Sequence, residues 1–225
     1  MTDTNKAKHL PQNADEQIAR LKAQLAGNPE CGTTHYNLAA ALIGKQEYAE
    51  AEKILHEAIE CSPTLAEAYV LLGGICLQRN DLEGCYRYNS LATKSRAGFA
   101  EGYANMGFVL LQLVDGKNSS EDEEKLDKAI KNLRKAIIYN KNFVQAYTTL
   151  GNAYLMKDLI RESIEASLEA LSIAPDFPIA HNNLAIAYLE AGEPDKAIDH
   201  CDKAEALGYQ VSEELKEELK QYRNP

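Results

Sequence analysis

Five cysteines (Cys31, Cys61, Cys76, Cys85 and Cys201) and five histidines are the side chains with the widest chemical reach in this 225-residue chain. A zinc site wants Cys or His at short, fixed spacing, and a disulfide framework wants an even count. These cysteines are odd in number, scattered, and include no Cys-x-x-Cys pair. They read as reduced thiols. His56-Glu57 has no second His at the spacing of a metalloprotease helix, and the histidines lie far apart. No Gly-x-x-x-x-Gly-Lys-[Ser/Thr] and no Gly-x-Gly-x-x-Gly after a strand offers backbone amides to a phosphate. Asn118-Ser119-Ser120 fits a glycosylation acceptor, but the first residues, MTDTNKAKHLPQNADEQ, lack the apolar stretch of a secretory leader, so it is expected to go unused. The chemistry therefore points away from an enzyme: no catalytic set, no metal and no cofactor are expected.

Charge narrows the partners. The formal net charge is −10 and the pI is near 5.1. Such a balance repels phosphate backbones and anionic lipid, so nucleic acid is not an expected partner. No apolar run approaches the ~18 residues of a membrane span, so membrane insertion is not expected either. A cytoplasmic location is the default. One segment breaks the acidic average. Glu121-Asp122-Glu123-Glu124 is followed by Lys125, Lys128, Lys131 and Lys135, with Arg134 alongside. Spacings of three and four place the lysines on one helix face. Glu121, Asp122, Lys128, Lys131 and Lys135 form a possible second contact surface, the alternative being a solvated face.

These side chains must be positioned by helices, because the chain repeats itself. Tyr69…Leu72-Gly73, Tyr103…Met106-Gly107 and Tyr147…Leu150-Gly151 are copies of one phrase, and His35…Leu38-Ala39 and His181…Leu184-Ala185 are weaker ones. Self-similarity at 34 residues means stacked helical hairpins. The spacing predicts a flexible tail over 1–13, a capping helix over 14–31, and hairpins over 32–65, 66–99, 100–143, 144–177 and 178–211. A capping helix over 212–225 follows, with Leu215, Leu219 and Tyr222 as its apolar stripe. The third hairpin carries ten extra residues near 115–125. Ser120-x-x-Glu123 reads there as a capping box that lengthens the second helix. Pro63 and Pro175 mark the ends of second helices.

Several positions agree in register. On the first helix of each hairpin a small residue recurs: Ala39, Gly73, Gly107, Gly151, Ala185. On the second helix two recur: Ala51, Cys85, Ala129, Ser163, Ala197, and Ala58, Ala92, Ala136, Ala170, Ala204. Helices packed at ~8–10 Å need small side chains where their ridges cross. The arrangement over 32–211 resembles the tetratricopeptide repeat family. The resemblance implies an all-α, right-handed superhelical solenoid of five helix-turn-helix repeats with a capping helix at each end. His35 and His181 then occupy the position of a packing aromatic. Cys76 and Cys85 fall on facing helices as small core residues. Asn89 stands where a large apolar residue is usual, which predicts a looser second repeat.

The family lines its concave groove with positions two, five, six and nine of each repeat. On this chain none of the twenty is Lys or Arg, so a clamp for a C-terminal carboxylate is not expected. Instead an amide row runs through Asn37, Asn105, Asn152, Asn182 and Asn183, with Tyr36, Val70, Phe108, Ile179 and Ile186 as apolar neighbours. An Asn both donates and accepts, so it suits the backbone of a bound segment. The function implied is a non-enzymatic scaffold or adaptor holding a protein or peptide partner, as an extended strand or a helix, in that groove. The alternatives are a self-assembling homo-oligomeric scaffold and a dedicated chaperone for a secreted or cofactor-bearing client.

Overall fold

The computed structural model describes residues 14–116 and 119–223. The tail, Asn118 and the last two residues of the chain therefore lie outside it. Twelve α-helices and no strand occur among the described residues. None of these helices is long and apolar enough to cross a membrane. The chain divides into two compact units, Met1–Arg96 and Ala97–Pro225.

The first unit holds α1 (Ala14–Gly27), α2 (Gly32–Gly44), α3 (Tyr48–Cys61), α4 (Ala66–Gln78) and α5 (Leu82–Ser95). α2 and α3 pair as one hairpin and α4 and α5 as another; α1 packs on α2. Ile18 and Leu21 carry the buried face of α1, and Leu38, Leu42, Leu55, Leu72 and Ile75 are essentially solvent-free beneath it. Burying each such side chain is worth about 1.5–3 kcal/mol. The hairpin turns are tight. Gln46 and Asn80 sit at φ of 64° and 58°, in the left-handed region that reverses the chain. Asn89 is fully buried in the α4/α5 crossing, and its Nδ2 donates to the Cys85 carbonyl at 2.9 Å. It stands against Gly73, where a Cβ would lie 2.6 Å from that nitrogen. The amide therefore fills the place of the usual apolar side chain by pairing with glycine.

The second unit holds α6 (Ala100–Gln112), α7 (Ser120–Tyr139), α8 (Val144–Met156), α9 (Ile160–Ile173), α10 (Pro178–Glu190), α11 (Pro194–Ala206) and α12 (Glu213–Arg223). α6/α7, α8/α9 and α10/α11 are hairpins, and α12 packs on α11. Gly107 lets α6 close on α7: a Cβ there would meet Leu133 at 2.6 Å. Asp158 and Gly192 reverse the chain at positive φ in the two later hairpins. The ten extra residues go into α7, which runs for 20 residues, and into the loop before it. The cap of α7 is Ser119 rather than Ser120. Its hydroxyl accepts from the Asp122 amide at 3.1 Å, so the helix starts one residue earlier than a Ser120 cap would allow. Leu215 and Leu219 bury the stripe of α12, and the Ser212 hydroxyl accepts from the Leu215 amide at 3.3 Å.

Candidate functional site

Within the second unit the first helices of the three hairpins lie side by side, α6 on α8 and α8 on α10. The exposed face of this row is a cleft of about 880 Å³. All four phenylalanines of the chain line it: Phe99, Phe108, Phe143 and Phe177. Three of them are the N-cap residues of α6, α8 and α10, with extended or near-extended backbone and no side-chain capping bond. An N-cap is more often Ser, Thr, Asp or Asn, which satisfies a free helix amide. Here that stabilisation is forgone and an apolar ring stands at the cleft instead. Pro178 at the start of α10 holds Phe177 in the extended region, because a proline ring disfavours a helical residue before it. Phe108, from the third turn of α6, is 39% exposed, and Ile179 is 41% exposed.

Amides and hydroxyls complete the lining. Asn105, Gln112, Asn140, Gln145, Thr149, Asn152 and Asn182 stand among the aromatic rings, and Glu101 is the one charged side chain among the described lining residues. Among the described lining residues a terminal carboxylate would meet no lysine or arginine. Asn152 is exposed, with only a long contact of 4.0 Å to the Met156 sulfur. Asn105 and Asn182 are half-buried.

Seven of the ten groove residues read from sequence meet in this cleft: Asn105, Phe108, Asn152, Ile179, Asn182, Asn183 and Ile186. Asn183 is spent inside the fold. It is 4% exposed, and its Nδ2 donates to the Thr148 carbonyl at 2.9 Å, tying α10 to α8. Tyr36, Asn37 and Val70 belong to the first unit. Tyr36 is half-buried against its core, Val70 is half-buried on α4, and Asn37 lines a separate groove of about 840 Å³ with Gln17, Arg20 and Gln24. The rings missed from sequence, Phe99, Phe143 and Phe177, left a signal: a Phe directly before each of these three helices, in steps of 44 and 34 residues.

The acidic and basic run of α7 is largely paired within the helix. Glu121 binds Lys125 at 2.9 Å and Glu124 binds Lys128 at 2.6 Å. Asp122 is only 3% exposed, and its Oδ1 accepts from the Asp115 amide at 3.4 Å, so it anchors the preceding loop. Lys135 lies 5.2 Å over the Tyr103 ring, and Lys131 is exposed.

The chemically versatile side chains are built into packing. His35 is buried and its Nδ1–H donates to the Cys31 carbonyl at 3.1 Å. His181 Nε2–H donates to the Pro175 carbonyl at 3.0 Å, which leaves its Nδ1 to accept from His200 Nδ1–H at 2.8 Å. His200 also stacks on Tyr188. Burial foremost, and then the neighbouring His181 ring, which disfavours a second positive charge, pull His200 down to about 4. Burial pushes the thiols of Cys76 and Cys201 up, and that of Cys85 up to about 11, so all three stay protonated. Cys31, at the N-terminus of α2, is lowered by the hydroxyl of Thr34, which donates to its sulfur at 3.0 Å. One set of possible metal donors, Cys201, Asp202 and Glu205, occurs among the described residues. Arg223 already pairs with Asp202, and Cys201 is fully buried.

Comparison with known proteins fits this architecture. Family models of the tetratricopeptide repeat match residues 34–62, 144–177 and 178–207. The chain is a tetratricopeptide repeat protein. No curated protein matches the sequence. Solved tetratricopeptide and related structures match the fold. YrrB, a tetratricopeptide repeat protein with an unusual peptide-binding site, aligns with a TM-score of 0.67 at 19% identity over 91% of this chain and 99% of its own. The pilF protein of Pseudomonas aeruginosa aligns with a TM-score of 0.74 at 15% identity over 94% and 89%. MamA aligns with a TM-score of 0.63 at 21% identity over 88% and 98%. At these identities the likeness is one of fold, that of a helical-repeat solenoid.

Proposed function

We propose that this tetratricopeptide repeat protein is a non-enzymatic scaffold that holds a segment of a partner protein in the α6/α8/α10 cleft. One observation carries the reading: every phenylalanine in the chain lines that cleft, three of them repeated at the starts of α6, α8 and α10. Aromatic rings at a concave surface, set among uncharged amides, are the composition of a binding groove rather than of a solvated face. Phe108, Phe143, Ile179 and Ile186 supply the apolar contacts, and Asn105, Asn152 and Asn182 pair with the partner backbone. The cytoplasm is the compartment in which we place it.

The test uses the full chain as bait in extract of its own cells, compared with a Phe108→Ala/Asn152→Ala double variant and with Lys131→Ala on α7. Proteins held by the wild type and by Lys131→Ala but lost from the double variant support the cleft. Identical capture by all three refutes it.

A further inference from the structure

The first unit holds two thiols that its packing sets apart from the other three. Cys31 is the N-cap residue of α2 and is half-buried; Cys61 is the last residue of α3 and is exposed. The Thr34 hydroxyl donates to the Cys31 sulfur at 3.0 Å. The positive end of α2 favours negative charge at the same atom. The Cys31 thiol is accordingly held below its ordinary value, by Thr34 foremost. Cys76, Cys85 and Cys201 are the reverse case: all three are buried, and burial pushes their thiols up. The thiolate is the nucleophile, so an electrophile arriving from solvent finds Cys31 before any of those three.

The same packing brings Cys61 to the Cys31 turn. The Cys61 thiol donates to the Pro29 carbonyl, two residues before Cys31, at 3.9 Å. A Cβ on Gly32 would sit 2.7 Å from the Ser62 Cβ. With Cα–Cβ bonds of ~1.5 Å, the Cα atoms of Gly32 and Ser62 are at most about 5.8 Å apart. Each of these two residues directly follows a cysteine. A disulfide wants its Cα atoms within about 7 Å, the scale of that approach. Little holds the two sulfurs where they are. Cys61 has only its long contact to Pro29, and the turn before Cys31 is closed by a stretched bond, from the Cys31 amide to the Asn28 carbonyl at 3.4 Å. Neither thiol stands in a helix interior, so the end of α3 and the start of α2 can adjust without breaking a helix.

We propose that Cys31 and Cys61 form a hydroperoxide-responsive dithiol, in which Cys31 is oxidised first and Cys61 resolves it as an intramolecular disulfide across the α2/α3 hairpin. The Cys31 thiolate attacks the terminal oxygen of the hydroperoxide. The S–O bond forms, the O–O bond breaks, and the departing alkoxide takes up the proton that the thiol gave off. The product is a sulfenic acid on Cys31. The Cys61 sulfur then attacks the Cys31 sulfur. The S–S bond forms, the S–O bond breaks, and the hydroxide leaves as water with the Cys61 proton. Two thiols lose two electrons, and the peroxide is reduced to an alcohol and water. A thiol reductant reverses the step, which suits the reducing compartment in which we place the chain.

The experiment treats the reduced full chain with hydrogen peroxide at pH 7.5 and maps its cysteines by non-reducing proteolysis and tandem mass spectrometry. Fragment spectra separate Cys61 from Cys76, which share a tryptic peptide. The wild type is expected to give a Cys31–Cys61 link in the monomer, reversed by dithiothreitol. In Cys61→Ser the sulfenic acid should persist, with dimedone labelling Cys31 about tenfold more than any other cysteine. Thr34→Val should slow oxidation of Cys31 several-fold, since it removes the hydroxyl and leaves the shape. Sulfenic acid that persists on Cys31 in the wild type overturns the resolving role of Cys61. A disulfide that appears only between molecules on non-reducing electrophoresis overturns the intramolecular link. Equal labelling of Cys31 and Cys61 in the wild type at early times, or no oxidation of either at a hundredfold excess of peroxide, overturns the proposal. The wild-type map decides these outcomes even where a variant fails to fold.

Discussion

The His181–His200 pair makes stability depend on pH in a window set by geometry. His181 gives Nε2–H to Pro175 and accepts at Nδ1, so His200 must donate from Nδ1. Both rings are neutral in this arrangement. His200 is held down to about 4 by burial and by His181, against 6.5 when free. Between those values the unfolded chain binds a proton that the folded chain refuses. Stability contributed by the neutral pair is therefore complete above pH 6.5 and is lost as pH falls toward about 4. With 1.36 kcal/mol per pK unit, moving from pH 7.5 to pH 5 removes about 2 kcal/mol at most, less whatever the partial exposure of the ring restores. Other groups titrate over the same range, so the informative quantity is a difference between two proteins. In His200→Asn the side-chain amide donates in place of Nδ1–H and does not titrate. Urea unfolding followed by far-ultraviolet circular dichroism at pH 7.5, 6, 5 and 4.5 should show the wild type losing about 1–2 kcal/mol more than the variant. Parallel pH profiles for the two proteins would refute the assignment. So would an NMR titration of the His200 ring with its midpoint above 6.

Two further outcomes follow from buried side chains. Ser163 is fully buried on α9 with an unpartnered hydroxyl, so Ser163→Ala should stabilise the chain by about 0.5–1.5 kcal/mol; a loss of stability in urea unfolding would mean that the hydroxyl has a partner. Of the five thiols, Cys31 and Cys61 are at least partly exposed, while Cys76, Cys85 and Cys201 are buried. A chromogenic disulfide reagent at pH 7.5 should react with two thiols in the native protein and with three more only after guanidinium is added, and three or more fast thiols would contradict the packing.

Much of the fold is legible in the sequence because packing writes a periodic constraint. Gly107 has to be small because Leu133 leaves no room for a Cβ, and Asn89 can replace an apolar residue only because Gly73 faces it. The small positions recur for that reason. Long-range pairing is not written periodically. Asn183 and Asn182 are adjacent and chemically identical, yet one reaches the Thr148 carbonyl, 35 residues away, and the other faces the cleft. Asp122 likewise reads as one more acidic residue until the Asp115 amide is seen bound to it. The division after Arg96 leaves no mark in the 34-residue step, which continues from Tyr69 to Tyr103. The phenylalanine ladder was visible as letters but carried no weight, because residues just before a helix are read as boundaries and caps.

That ladder separates the two units by chemistry although their hairpins are built alike. The groove of the first unit is edged by Gln17, Arg20, Gln24 and Asn37, with no aromatic ring. Water satisfies such a surface without a ligand. The cleft of the second unit keeps Phe108 and Ile179 each about two-fifths exposed beside three more phenylalanines. A contiguous apolar patch of this kind costs solvation free energy in a free monomer at roughly 25 cal/mol per Å² left in water. Three of the rings also displace polar caps worth about 1 kcal/mol each. A chain selected for stability alone would place Ser or Asp at 99, 143 and 177, as it does with Asp81 before α5 and Ser119 before α7. Leu65 before α4 and Leu159 before α9 are apolar as well, so what sets the second unit apart is the convergence of Phe99, Phe143 and Phe177 with Phe108 on one exposed cleft, which a binding surface uses and a merely folded one does not require.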